Sequence, residues 1–136
     1  MSNNSTISTG ILYHNAVEMI EWLCQTFGFE KRLIVPGQDN QIIHAHLTFG
    51  NGSIMIASAE NYPNPTFCKS PKEIGGIGTA ELIVYVEEVD KHYMNAKSHG
   101  ADIVVEIADK PYGGRGYCVK DPEGYFWAFS SYNPWT

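Results

Sequence analysis

The chain has 136 residues, 43% of them hydrophobic and 18% charged, which supports one compact globular domain able to fold without disulfide staples or a structural metal. Its formal charge of −6, with Lys and Arg scattered rather than striped, excludes nucleic acid as an expected partner. The opening MSNNSTISTG lacks the basic and apolar regions of a signal peptide, and no apolar run reaches the length of a membrane span, so a cytoplasmic protein off the membrane is expected.

Residues 1–6 read as a polar, frayed tail. Ile7 to Tyr13 form a first strand, and Asn15 can then cap a helix whose apolar positions Ala16, Met19, Ile20, Leu23 and Phe27 recur every three or four residues until Gly28 stops it. Phe29 to Val35, Gln41 to Phe49 and Ser53 to Ser58 follow as strands, with turns at Pro36-Gly37 and Gly50-Asn51-Gly52. Residues 60–78 carry three prolines and four serines or glycines without periodicity and form a linker. Thr79 to Val86 open a second set: a helix from Val89 to His99 stopped by Gly100, then strands Ile103 to Ile107, Gly116 to Lys120 and Tyr125 to Ser131. The last two strands are joined by Asp121-Pro122-Glu123-Gly124, and an aromatic tail, residues 132–136, tucks against the body. Cys24, Cys68 and Cys118 are odd in number and have no CxxC spacing, as expected of reduced thiols.

The two sets are one pattern written twice. Gly28 and Gly100 are 72 residues apart, as are Gly52 and Gly124. Each half is a βαβββ unit, module 1 at about 7–59 and module 2 at about 79–131. One unit leaves an apolar sheet face uncovered, so two are expected to pack together and to hold a ligand where they meet.

This repeat, the IEWLCQTFGFE stretch, the EEVD lead into the second helix and the KDPEGYFWAF hairpin resemble the vicinal oxygen chelate superfamily, which includes glyoxalase I, bleomycin-resistance proteins, fosfomycin-resistance enzymes and extradiol dioxygenases. The resemblance runs from about Ile7 to Ser131. It implies an α+β fold in which the two modules form a half-closed mixed sheet around a cavity, often in a homodimer. It implies no particular reaction, because lyases, transferases, oxygenases and binders share the scaffold.

The resemblance also implies four metal-ligand positions. Counted back from Asn15 and Asp90, two fall on Thr9 and Glu81, and alignment of the hairpins puts the others on Ile56 and Ala128. Ile and Ala cannot bind a metal and Thr is a poor ligand, so neither metal nor other cofactor is expected.

The remaining site residues follow from strand parity. Glu81 and Tyr85 lie opposite Leu82, Val84 and Val86, which places them in the cavity, where Glu81 either meets a ligand or serves as a solvated acid. His44 and His46 project to one side of their strand. A three-residue Gly50-Asn51-Gly52 loop pairs His46 with Ile56 and puts it in the cavity, while a loop of two or four residues turns both histidines away. The fosfomycin-resistance members carry a cavity aromatic where His46 aligns, which favours the first option. Residues 121–124 as a four-residue turn pair Tyr117 with Ala128 and Arg115 with Ser130; because the resemblance implies a cavity-side position for Ala128, Arg115 and Tyr117 are expected in the cavity and Cys118, Trp127 and Phe129 in the core. Arg115 there either clamps an acidic ligand or pairs with a neighbouring acid. The Gly113-Gly114-Arg115-Gly116 run is a flexible lead into a strand that also lets backbone approach a ligand.

The expected function is metal-independent binding of a small aromatic or amphipathic molecule, of the sequestration or resistance type. Tyr13, Tyr85, Tyr117 and Phe126 supply stacking surface, and His44, His46, Glu81 and Arg115 orient polar groups. The alternatives are a metal-dependent lyase or dioxygenase with a nonstandard site from His44, His46 and Glu81, and a metal-free acid–base enzyme using Glu81 or His46. The expected partners are a second copy of the chain and the small molecule.

Overall fold

The computed structural model describes residues 3–61 and 68–136; the middle of the linker, 62–67, lies outside the described residues. The chain divides into two units, Met1–Glu73 and Ile74–Thr136.

The first unit runs β1 (Ser8–Tyr13), α1 (Ala16–Phe27), β2 (Glu30–Pro36), β3 (Ile42–Phe49) and β4 (Gly52–Ser58). Its sheet order is β1-β4-β3-β2, with β1 parallel to β4 and the other pairs antiparallel. The expected helical periodicity is present: Met19, Ile20, Leu23 and Phe27 are buried on one side of α1. The matching sheet face carries Ile11, Ala45, Leu47, Ile54 and Ile56, all buried. Gly28 ends the helix with φ 88°, a conformation that only glycine adopts cheaply, and its N–H donates to the Cys24 carbonyl. Asn15 precedes the helix as expected but makes no side-chain cap; its backbone carbonyl takes the Met19 N–H at 2.9 Å.

One expectation is corrected in this unit, and the linker gains local detail. The tail is tied rather than frayed, since the Ser5 N–H donates to the Asn51 carbonyl at 2.8 Å and the Asn51 amide donates to the Asn3 carbonyl at 3.1 Å. The linker carries two short 3₁₀ turns, Ala59–Asn61 and Pro71–Ile74. Between them Ser70, wholly buried, sits with its hydroxyl 2.8 Å from His14 Nε2 and 3.1 Å from a Glu73 carboxylate oxygen. A hydroxyl buried at that depth needs such partners, and they pin the end of the linker to the residue that follows β1.

The second unit repeats the first: β5 (Glu81–Tyr85), α2 (Val89–Ser98), β6 (Asp102–Asp109), β7 (Arg115–Lys120) and β8 (Phe126–Ser130). Its sheet order is β5-β8-β7-β6, again with the first strand parallel to the last. Val89, Tyr93 and Ala96 are the buried side of α2, and Tyr117, Val119, Trp127 and Phe129 are the buried face of the sheet. Trp127 and Phe129 lie nearly parallel at 6.3 Å, and the Tyr93 ring meets Tyr117 edge-on at 5.0 Å. In the tail, Tyr132 rests edge-on against Tyr112, whereas Trp135 is 91% exposed and does not tuck in.

Candidate functional site

Both hairpins differ by one residue from the expected register, and because side chains alternate across a strand, a slip of one residue exchanges the faces. In the second unit Lys120 pairs with Phe126, Cys118 with Ala128 and Tyr117 with Phe129. The cause is Asp121. Its carboxylate takes the N–H groups of Glu123 and Tyr125 at 2.9 and 3.0 Å and the Trp127 indole N–H at 3.0 Å, so the turn includes Tyr125 and is one residue longer than expected. In the first unit Phe49 pairs with Gly52 across a two-residue Gly50-Asn51 turn, so His46 lies beside Met55 rather than Ile56.

These registers correct several assignments. Tyr117 belongs to the helix side, where its hydroxyl lies 2.5 Å from His92 Nδ1 and burial holds its phenol well above the ordinary range. Arg115 is also on that side. It forks onto Asp90 of α2 at 3.1 and 3.2 Å and reaches Asp109 at 2.9 Å, and these two carboxylates raise its already high pKa. The guanidinium thus pairs with acids of its own chain, the second of the two roles read for it in the sequence. Tyr13 shares the parity of Ile11 and is fully buried, so it is core rather than stacking surface. Cys118 leaves the core side for the face of Ala128, where burial first and the Glu81 carboxylate second raise the pKa of its thiol.

What remains is the face of each sheet turned away from its helix. On the second sheet this open face carries Glu81 beside Phe126, then Ile83 beside Ala128 and Tyr85 beside Ser130. Ile83 is 70% exposed and Tyr85 46%. Lys120 completes the row, its ammonium 5.9 Å from the centre of the Phe126 ring. Ile83 shares the face that alternation assigns to Glu81 and Tyr85, whereas Lys120 and Cys118 were missed because their face depends on the length of the turn.

On the first sheet the open face carries His44 and His46, half-buried, with their Nε2 atoms 3.1 Å apart and their rings edge-to-face at 4.6 Å. They reach that face because the two-residue turn moves them away from Ile56, and Ile56 itself lies on the helix side. Leu33 and Val35 of β2 pair with His46 and His44, and Met55 of β4 flanks His46.

A polar cavity of about 210 Å³ in the same unit was not foreseen; His14, Asn15, Glu18, Asp39, Asn40 and Glu60 line it. Its rim includes Asp39 and Asn40, both with positive φ, of 54° and 60°. The one sequence cue for it is the polar run that follows Pro36-Gly37.

The sequence profile of the glyoxalase/bleomycin resistance protein/dioxygenase superfamily matches residues 8–129. The chain belongs to this superfamily. Among solved structures it is similar to TioX from Micromonospora sp. ML1, at 33% identity and TM-score 0.75 over 93% of this chain and 98% of that one. It is also similar in fold to a superfamily member from Sphaerobacter thermophilus (16% identity, TM-score 0.71, 93% and 95% covered) and to lactoylglutathione lyase from Agrobacterium tumefaciens (17%, 0.66, 95% and 95%). No curated protein matches the chain.

The residues at the implied metal positions do not fit a divalent ion. Thr9 and Ile56 lie on the helix side of their sheet, so in the observed register the open-face neighbours are Gly10 and Met55. In the first unit these offer a single thioether, and in the second Glu81 and Ala128 offer a single carboxylate, so neither unit supplies the His and Glu donors of the usual centre. Among the described residues no three His, Cys, Asp or Glu side chains gather as a metal site.

Proposed function

We infer that the chain binds a small aromatic or amphipathic molecule against its open sheet faces, as a sequestering or resistance protein, without the superfamily's metal chemistry. The observation that carries this reading is the row Ile83, Tyr85 and Phe126, an aromatic and aliphatic surface with Glu81 at one edge and Lys120 over the ring. Flat apolar surface of this kind gains from covering by a planar ligand, while an acid and an ammonium beside it orient polar substituents. The misfit at the implied metal positions supports binding over metal-assisted catalysis. The same reading has the protein acting in the cytoplasm, as a homodimer in which a second copy covers exposed apolar residues outside that row, such as Ile43, Val104 and Val105.

Calorimetric titration with a panel of planar aromatic compounds tests it. At least one should bind with a stoichiometry of one per chain and emerge chemically unchanged, and Tyr85→Ala and Phe126→Ala should each weaken it about tenfold or more. Binding indifferent to both substitutions would remove the open face as the site. Sedimentation at micromolar concentration should show a dimer.

A further inference from the structure

Two imidazole nitrogens on the first sheet, those of His44 and His46, stand within hydrogen-bond distance of each other. On an extended strand, side chains two residues apart share a face but normally run side by side; here the two imidazoles turn until their Nε2 atoms stand 3.1 Å apart. Each of these atoms carries either a hydrogen or a lone pair, so something electropositive must lie between them. A single hydrogen satisfies the pair when one imidazole donates and the other accepts. A metal ion satisfies it in the same geometry. Taking the zinc–imidazole distance of about 2.0–2.1 Å as the scale, two such atoms separated by 3.1 Å subtend about 100° at the ion, an angle ordinary coordination accepts. No net proton has to leave, since the donating imidazole can carry its hydrogen on Nδ1 instead.

The surroundings select the ion. His46 is paired with Met55, whose side chain is 40% exposed on the same face and brings a thioether, while Leu33 and Val35 flank the histidines on the other side. Among the described residues no carboxylate or thiolate joins the cluster. Two neutral imidazoles and a thioether against apolar neighbours form a soft, uncharged donor set, which favours copper(I) over zinc, magnesium or manganese. We propose that His44, His46 and Met55 form a binding site for a single copper(I) ion on the open face of the first sheet. This site shares Met55 with the implied superfamily position on β4 but takes its two nitrogen donors from β3, where the superfamily pattern places none, and it stands whether or not an aromatic ligand binds the second sheet.

The test uses the full chain, loaded anaerobically with copper(I) against a competing chromophoric chelator and followed by the imidazole resonances of nitrogen-15-labelled histidine. One equivalent should shift the signals of His44 and His46 and leave those of His14, His92 and His99 in place. The double variant His44→Phe/His46→Phe should bind one equivalent fewer than the parent, which separates this site from the three cysteines. His46→Gln serves as the milder variant, with circular dichroism confirming that each is folded. Met55→Leu should weaken the site about tenfold. Equal stoichiometry in parent and double variant, or shifts confined to other histidines, overturns the site; unchanged affinity in Met55→Leu overturns its assignment to copper(I).

Discussion

The carboxylate of Asp121 accepts the indole N–H of Trp127 at 3.0 Å while it also holds two backbone N–H groups of its own turn. All of this happens at a site only 3% exposed for Asp121 and closed for Trp127. One side chain thereby sets the length of the β7–β8 turn and fixes the largest ring of the core. Asp121→Ala strands the indole donor and frees the turn, so a loss of about 2–4 kcal/mol is expected in urea unfolding. Trp127→Ala should cost about 3–5 kcal/mol. A change below about 1 kcal/mol for both would contradict the account of this hairpin.

Gly124, with φ 97°, completes the same turn and donates its N–H to the Asp121 carbonyl at 2.9 Å. A β-branched residue is strained in that conformation. Gly124→Val should lower stability by at least about 1 kcal/mol, read as a fall in the thermal midpoint.

Tyr117 supplies a pH test. Burial holds its phenol protonated in the folded chain well past the point where an exposed tyrosine ionises. Its contribution to stability is therefore complete below about pH 10, the ordinary tyrosine value, and is lost as pH rises beyond that. Tyr117→Phe should cost about 1 kcal/mol at neutral pH through the lost His92 contact, flatten the alkaline loss of stability, and leave ligand affinity unchanged. Weakened ligand binding in this variant would return Tyr117 to the open face.

The chain should not isomerise the hemithioacetal of methylglyoxal and glutathione, with or without added zinc, nickel or manganese. Of the positions that the superfamily resemblance implies, Thr9 and Ile56 in the first unit and Ala128 in the second offer no strong ligand and Glu81 alone is a carboxylate, which supplies no Lewis-acid centre for an enediolate. Turnover that depends on added metal and is lost in Glu81→Gln is the result that would revive the enzymatic reading.

The element order was legible in the sequence because periodicity, two stop glycines and the 72-residue spacing all pointed the same way. Faces were not, because they depend on the exact length of a turn. Asp121 gathers two N–H groups and an indole beyond its own position, and nothing in its letter distinguishes that from an ordinary four-residue turn. That single residue moved Arg115 and Tyr117 from the ligand side to the helix side, whereas Glu81 and Tyr85 kept their place because β5 was read from its own alternation, and Phe126 on β8 pairs beside Glu81. Ser70 was hidden for another reason: a buried serine in an aperiodic linker is recognised only once His14 and Glu73 are seen around it.

The thiols differ in a way that gives the linker a chemical handle. Cys24 and Cys118 are half-buried with burial raising their pKa, while Cys68 is exposed, two residues before the Ser70 anchor. An alkylating dye at neutral pH should thus mark Cys68 first, without mutagenesis. Fluorescence from that one label would follow the linker in the unaltered chain, so a ligand that rearranges the segment can be detected by light before its identity is known.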